Sequence, residues 1–291
     1  MPIDYEKVMN FPIPAVENTY TERDTMLYAL AVGLGADPLD PRELAFVLED
    51  HAGTGTRRLR VLPTMSTVLA WDDRWMYETG IDMTKQVHGE QRIRIHRPLP
   101  AAATVVARTR VVDVFDKGPG KGMIMVFETE ISDKATGAVL ATNVATSFAR
   151  GEGGFGGPAG SPPAPHAIPG RPPDAVFAQK TLATQALLYR LCGDRNPLHA
   201  DPAYAARGGF DRPILHGLCT LGHAGAAVVR AGCDYDPDVI EELAVRFTRP
   251  VFPGETIRTE VWKDGRVVSF RSHVAERDVV VLDHGMVRLH A

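Results

Sequence analysis

The sequence predicts an α+β protein made of two copies of one unit. Three observations lead there. Each half opens with a helical patch and closes with a run of strands. A stretch dense in glycine and proline separates the halves, and short strings recur at matching places in both. Helix first, then an antiparallel meander, implies a sheet curled around a buried helix.

The elements follow in order. Thr21 to Val32 reads as a helix, and after an irregular loop comes an apolar patch from Leu62 to Trp71. Strands are expected at Gln91–Arg97, Thr104–Phe115, Met123–Ile131 and Val139–Ala149. Apolar and polar residues alternate cleanly in Arg92-Ile93-Arg94-Ile95-His96, as a half-buried strand requires. Residues 151–175 hold seven Gly and seven Pro, so 14 of 25 positions punctuate the chain. Such a stretch cannot build a core and reads as a linker. Gly151 to Gly157 lack a following Lys-Ser/Thr, and prolines stand where a phosphate-binding helix would begin. The second half repeats the order. A helix is expected over Leu182 to Cys192 and an apolar helix from about Gly217 to Val229. Strands are expected at Leu243–Arg249, Thr256–Trp262, Val267–Ala275 and Val279–Leu289. The expected division is an N-terminal unit 1–150, a linker 151–175 and a C-terminal unit 176–291.

The repeat is visible in particular strings. Leu27-Tyr28 sits like Leu188-Tyr189, and Arg97-Pro98-Leu99-Pro100 sits like Arg249-Pro250-Val251-Phe252-Pro253. Gly35-Ala36-Asp37-Pro38-Leu39-Asp40 sits like Asp194-Arg195-Asn196-Pro197-Leu198-His199. Pro-Leu is shared, but only the second copy has the Asp and the His. Duplication followed by specialisation explains this: one half does chemistry and the other does not.

Composition excludes several classes. Lys plus Arg is 32 and Asp plus Glu is 36, a formal net charge of −4 with no basic block, which argues against nucleic acid as a partner. No run of 18 apolar residues exists, so no membrane span is expected. The start lacks a signal-peptide layout and the end is no peroxisomal or retention address. Three cysteines, Cys192, Cys219 and Cys233, fit a reducing compartment, and no Cys-x-x-Cys suggests structural zinc. The expected location is the cytoplasm.

Chemistry concentrates in Leu191 to Asp201. The helix should break at Gly193, Asp194 to Pro197 should form a turn, and Asp201-Pro202 should cap a short helix. An Asp and a His five apart on a tight turn can converge on one small volume. A carboxylate beside an imidazole supplies a base near neutral pH and a partner to orient or relay a proton. Downstream, Arg212-Pro213-Ile214-Leu215-His216-Gly217 leads into the apolar helix. Its first turn has free N–H groups and the positive end of the helix dipole. Gly217 there would let a ligand carbonyl approach closely, an oxyanion-type site.

The string Tyr189 to His199 resembles the hydratase 2 motif of the MaoC-like (R)-specific enoyl-CoA hydratases, including the hydratase domain of the eukaryotic multifunctional β-oxidation enzyme. The resemblance extends to Tyr20-Thr21-Glu22, His88-Gly89-Glu90-Gln91, Asp116-Lys117-Gly118, Pro213 to Thr220, and Arg246-Phe247 before Pro250 and Pro253-Gly254. It implies a double hotdog: two antiparallel sheets, each wrapped around a helix and related by a pseudo-twofold. It implies reversible hydration of trans-2-enoyl-CoA to (3R)-3-hydroxyacyl-CoA in fatty-acid or sterol side-chain β-oxidation. Asp194 and His199 match the catalytic dyad, Asn196 the turn residue that orients it, and Gly217 the donor to the thioester carbonyl. His88, Gly89, Lys117 and Phe247 match positions that touch the CoA ester. By the same resemblance Pro197, Leu198 and His216 would border that pocket; Arg195, counted among the CoA-binding candidates, stands where relatives often have an aromatic and would either touch CoA or face solvent. No metal and no cofactor is implied, since coenzyme A belongs to the substrate. The N-half would accommodate the acyl chain. Residues Ala36 to Thr64, with Gly and Thr near Gly53 to Thr56, would be a displaced helical segment that leaves room for long or bulky groups. A homodimer is expected, because sheet edges remain to be covered. The alternatives are a hotdog acyl-CoA thioesterase and a non-catalytic acyl-CoA-binding module.

Overall fold

The computed structural model describes residues 3–50 and 58–290. Ten strands form one continuous antiparallel sheet. The first half supplies β1 (Val16–Tyr20), β2 (Gln86–Ile95), β3 (Ala103–Asp116), β4 (Met123–Asp133) and β5 (Val139–Ala149). The second supplies β6 (Ala175–Lys180), β7 (Ile240–Phe247), β8 (Thr256–Asp264), β9 (Val267–Val274) and β10 (Val279–Leu289). The order is β1-β3-β4-β5-β2-β7-β10-β9-β8-β6. Each half therefore has the same internal order, first, third, fourth, fifth, second. The duplication read from short strings is repeated in topology.

The halves join where β2 pairs with β7, from Glu90 opposite Arg246 to Arg94 opposite Glu242. Gln91, Ile93 and Ile95 point inward while Arg92 and Arg94 stay exposed. The outward charges are paired across the join, Arg92 with Glu242 at 3.1 Å and Arg246 with Glu90.

The helices are α1 (Tyr5–Met9), α2 (Glu22–Ala31), α3 (Pro41–Leu44), α4 (Arg74–Glu78), α5 (Gln185–Tyr189), α6 (Pro202–Arg207) and α7 (Gly217–Gly232). Only α7 is long and buried, with Leu218 through Val229 all inside. Its glycines let the first half press close. A Cβ on Gly222 would stand 2.3 Å from Val32 Cγ1, and one on Gly225 would stand 3.0 Å from Thr64 Cγ2. Near its end, Arg230 forms a buried ion pair with Glu43 at 2.7 Å and donates to the Gly33 carbonyl at 2.8 Å.

The expected α+β architecture is present, with two refinements. The two sheets are one, because β2 and β7 share a ladder. Among the described residues, a buried central helix exists only in the second half; the matching stretch of the first half, Pro63–Thr67, is a 3-10 turn. Thr64, Thr67 and Val68 are β-branched, which disfavours a helix, and the chain leaves helical geometry at Ala70, whose φ is 54°. The candidate displaced segment Ala36 to Thr64 includes α3, whereas its Gly53 to Thr56 part lies outside the described residues.

Residues 151–174 carry no helix or strand, yet they are pinned to the sheet. The Asp116 carboxylate accepts from the N–H groups of Gly154 at 2.7 Å and Gly156 at 2.8 Å. His166 Nε2 bonds Ser269 Oγ at 2.7 Å, and the Trp262 indole donates to the Arg171 carbonyl at 2.8 Å. Among the described residues, no helix is long and apolar enough to cross a membrane.

Candidate active site

The loop that carries Asp194 and His199 is shaped by its own sequence. A 3-10 turn, Arg190–Cys192, ends at Gly193, whose φ of +150° few side chains adopt. A Cβ there would also meet the Val68 carbonyl at 2.8 Å and Trp71 Cβ at 3.6 Å. Gly193 thus seats the loop against the first half. Asp194 Oδ1 accepts from the Asn196 N–H at 3.0 Å. Asn196 in turn caps the 3-10 turn Pro197–His199, its Oδ1 accepting from the Leu198 N–H at 3.0 Å. Pro197 fits that first position because its missing N–H would have no partner there. The next cap, Asp201 on α6, accepts from Ala203 and Tyr204 as the sequence predicts.

Two chain segments bring Asp194, His199 and His216 together. One oxygen of Asp194 and one ring nitrogen each of His199 and His216 lie within 4.8 Å of one another, all buried. His199 Nδ1 bonds the Ile214 carbonyl at 2.9 Å. A carbonyl only accepts, so Nδ1 holds the proton and Nε2 is left as a lone pair. His216 Nε2 donates to the main-chain carbonyl of Asp194 at 3.1 Å. The two rings stack, with centroids 3.8 Å apart and 28° between planes.

Burial sets the protonation states. Asp194 is pushed up to about 6 by desolvation, against the Asn196 N–H. His199 is pushed down to about 4 by desolvation, and His216 falls well below its ordinary value from burial and the nearby His199. At neutral pH the site therefore presents a carboxylate and two uncharged imidazoles.

The N-terminus of α7 is one residue beyond His216. Gly217 faces Phe247: a Cβ there would lie 3.2 Å from the ring. Phe247 packs on His88 with centroids 4.7 Å apart, and His88 Nε2 donates to the Glu90 carbonyl at 3.0 Å. Gly89 sits at a bulge in β2, close under the Thr146 carbonyl. So His88, Phe247 and Gly217 form a second group beside the α7 start. Leu198 packs near Gly208 at the end of α6. Arg195 is exposed, with no hydrogen bond or ion pair among the described residues. Lys117 is placed differently: it is half-buried at the turn after β3, and its ammonium donates to the Gly160 carbonyl of the linker at 2.9 Å.

One neighbour was missed. Asp73, just before α4, is pushed up to about 6 by burial and then by the charge of Asp194. It lines a cavity of about 50 Å³ with Trp71 and Trp75. The available signal was the string Trp71-Asp72-Asp73-Arg74-Trp75, an acidic and aromatic cluster inside the half without the dyad.

One Asp–His pair beside one helix start in a duplicated sheet defines a class. The MaoC-like domain model matches residues 165–284, and the MFE-2 hydratase 2 N-terminal domain model matches residues 18–151. The chain belongs to the MaoC-like enoyl-CoA hydratase family of enzymes. It is 41% identical over 292 residues to an enoyl-CoA hydratase of Mycobacterium tuberculosis, covering 98% of both chains. It is 44% identical over 276 residues to 3-hydroxyacyl-thioester dehydratase Y of the same organism, covering 92% of each. The crystal structure of a MaoC-like dehydratase from Phytophthora capsici superposes with a TM-score of 0.82 at 33% identity, covering 99% of both chains.

Proposed function

We propose that the chain adds water reversibly across a trans-2-enoyl-CoA to give a (3R)-3-hydroxyacyl-CoA, in β-oxidation. The observation that carries this reading is the meeting of the Asp194 carboxylate with a His199 ring whose Nδ1 is already spent on the Ile214 carbonyl. Nε2 and the carboxylate can then hold one water between them as acceptors. The thioester draws electron density from the double bond, so Cβ is open to attack. The water oxygen bonds to Cβ while the dyad takes one of its protons, and the dyad returns a proton to Cα. The site ends with the proton count it began with. Negative charge grows meanwhile on the thioester oxygen. The free N–H groups at the start of α7, Gly217 first, are suited to carry it. His216 braces the loop through the Asp194 carbonyl and supports the His199 ring face to face.

The substrate's CoA portion is assigned to the surface around His88, Gly89, Phe247 and Arg195, and the first half is assigned the acyl group. Crotonyl-CoA hydration, followed by loss of the conjugated thioester absorbance and chiral analysis of the product, tests the proposal. Asp194→Asn and His199→Ala should each lower kcat by about 10²–10⁴-fold. An S product, or full activity in both variants, overturns the mechanism. Release of free CoA in place of a hydroxyacyl product would identify a thioesterase.

A further inference from the structure

The cavity of about 50 Å³ lies between the first-half sheet and the stretch from Ser66 to Met76. It adjoins the dyad, because Trp71 abuts Gly193 and Asp73 senses the charge of Asp194. A plain hydrocarbon chain calls for an apolar lining, since polar groups buried without partners are costly. This lining is mixed: Leu69, Trp71, Trp75, Met76 and Phe127 give it an apolar wall, and Ser66, Thr109, Thr129, Asn143 and Asp73 set polar groups into that wall.

Several of these groups have hydrogen-bonding capacity to spare. The Thr109 and Thr129 hydroxyls share one hydrogen bond of 2.9 Å. Whichever donates, the other keeps its proton for a further acceptor. Asn143 Nδ2 donates to the Ser66 carbonyl at 2.9 Å and Asn143 Oδ1 accepts from Ser66 Oγ at 3.0 Å. One amide N–H of Asn143 is left over. The Asp73 carboxyl has no partner side chain bonded to it among the described residues, and it does not cap α4. Two spare donors and one acceptor therefore surround a space that holds only a few water-sized groups. Trp71, Trp75 and Phe127 bound that space.

We propose that this cavity selects short acyl groups that carry an oxygen, as a hydroxyl or carbonyl, beyond the reacting carbons. Thr109, Thr129 and Asn143 are its specificity-determining residues. The inference rests on the proposed hydratase reading for the orientation of the acyl group.

Binding tests it without catalysis. Affinities of the full chain for hexanoyl-CoA and 6-hydroxyhexanoyl-CoA are measured by titration calorimetry, alongside the Thr109→Val/Thr129→Val double variant. Valine keeps the threonine shape and deletes the hydroxyl, and a thermal melt checks that the variant is folded. The expected result is a preference for the hydroxylated ligand of at least about ten-fold, falling to within about two-fold in the variant. Equal affinities, tighter binding of the plain chain, or a preference that survives the double substitution overturns the inference, even in an enzyme that hydrates crotonyl-CoA. Preferential binding by a chain that hydrates no enoyl-CoA would support the cavity assignment and overturn the hydratase reading.

Discussion

Asp194 is held in an interior that favours its protonated form, and this has two measurable results. Its folded pKa of about 6 lies above the ordinary 3.8. Folding is therefore unpenalised below about pH 4, and the penalty is complete once pH has risen through 6. Two pKa units correspond to about 3 kcal/mol of lost stability at neutral pH. Asp194→Asn should raise stability by about that amount at pH 8 and by nothing at pH 4, in denaturant titrations, while activity collapses. Destabilisation at pH 8 would contradict the desolvation account. His199 has the opposite sign. Its folded pKa of about 4 lies below 6.5, so it lends stability above pH 6.5 that is lost as pH falls through 4. Since His199 is already neutral at pH 6, the acid limb of kcat/KM should sit near 6 and belong to Asp194. A limb near 4, or one that persists in an active Asp194→Asn variant, would reassign it.

The loop from Gly193 to His199 shows what an element adds to its residues. Asn196 touches neither reactive atom through its side chain; it caps the turn that carries His199. Asn196→Ala should cost about 1 kcal/mol of stability and lower kcat more than it raises KM. Gly193→Ala should do more, because a Cβ meets the Val68 carbonyl and cannot push backbone aside; a loss of about 1–3 kcal/mol and a fall in kcat are expected. The loop was legible in the sequence, since Gly193, Asn196, Pro197 and Asp201 are local turn and cap signals. So were the strands, through their alternation. The neighbours across space were not. Nothing local reveals that Ile214 and Val68 offer their carbonyls, or that Asp73 faces Asp194 from another unit. The first half's short turn was obscure for the same reason: Leu62 to Trp71 is as apolar as a helix, and no local signal marks the left-handed Ala70 that ends it.

At the scale of the whole molecule, the two halves are tied from three directions. The β2–β7 ladder joins the sheets, α7 is packed by both, and Arg230 reaches from α7 to Glu43. Glu43→Ala strands a buried guanidinium and should cost about 3–5 kcal/mol, read by urea unfolding. Unfolding should remain one transition, since the larger hydrophobic core runs through both halves, from Tyr28 and Val32 to Leu221 and Phe270; two separate transitions would argue otherwise. The linker has a different consequence. It must run from β5 to β6, which stand six strand positions apart in the sheet. At about 4.8 Å per position that is roughly 29 Å, or about nine fully extended residues before any curvature. A chain shortened below that length cannot close its own sheet. Its β6 could then reach a free β8 only on another molecule, so trimming this segment should turn a self-contained chain into an exchanged pair or an open polymer.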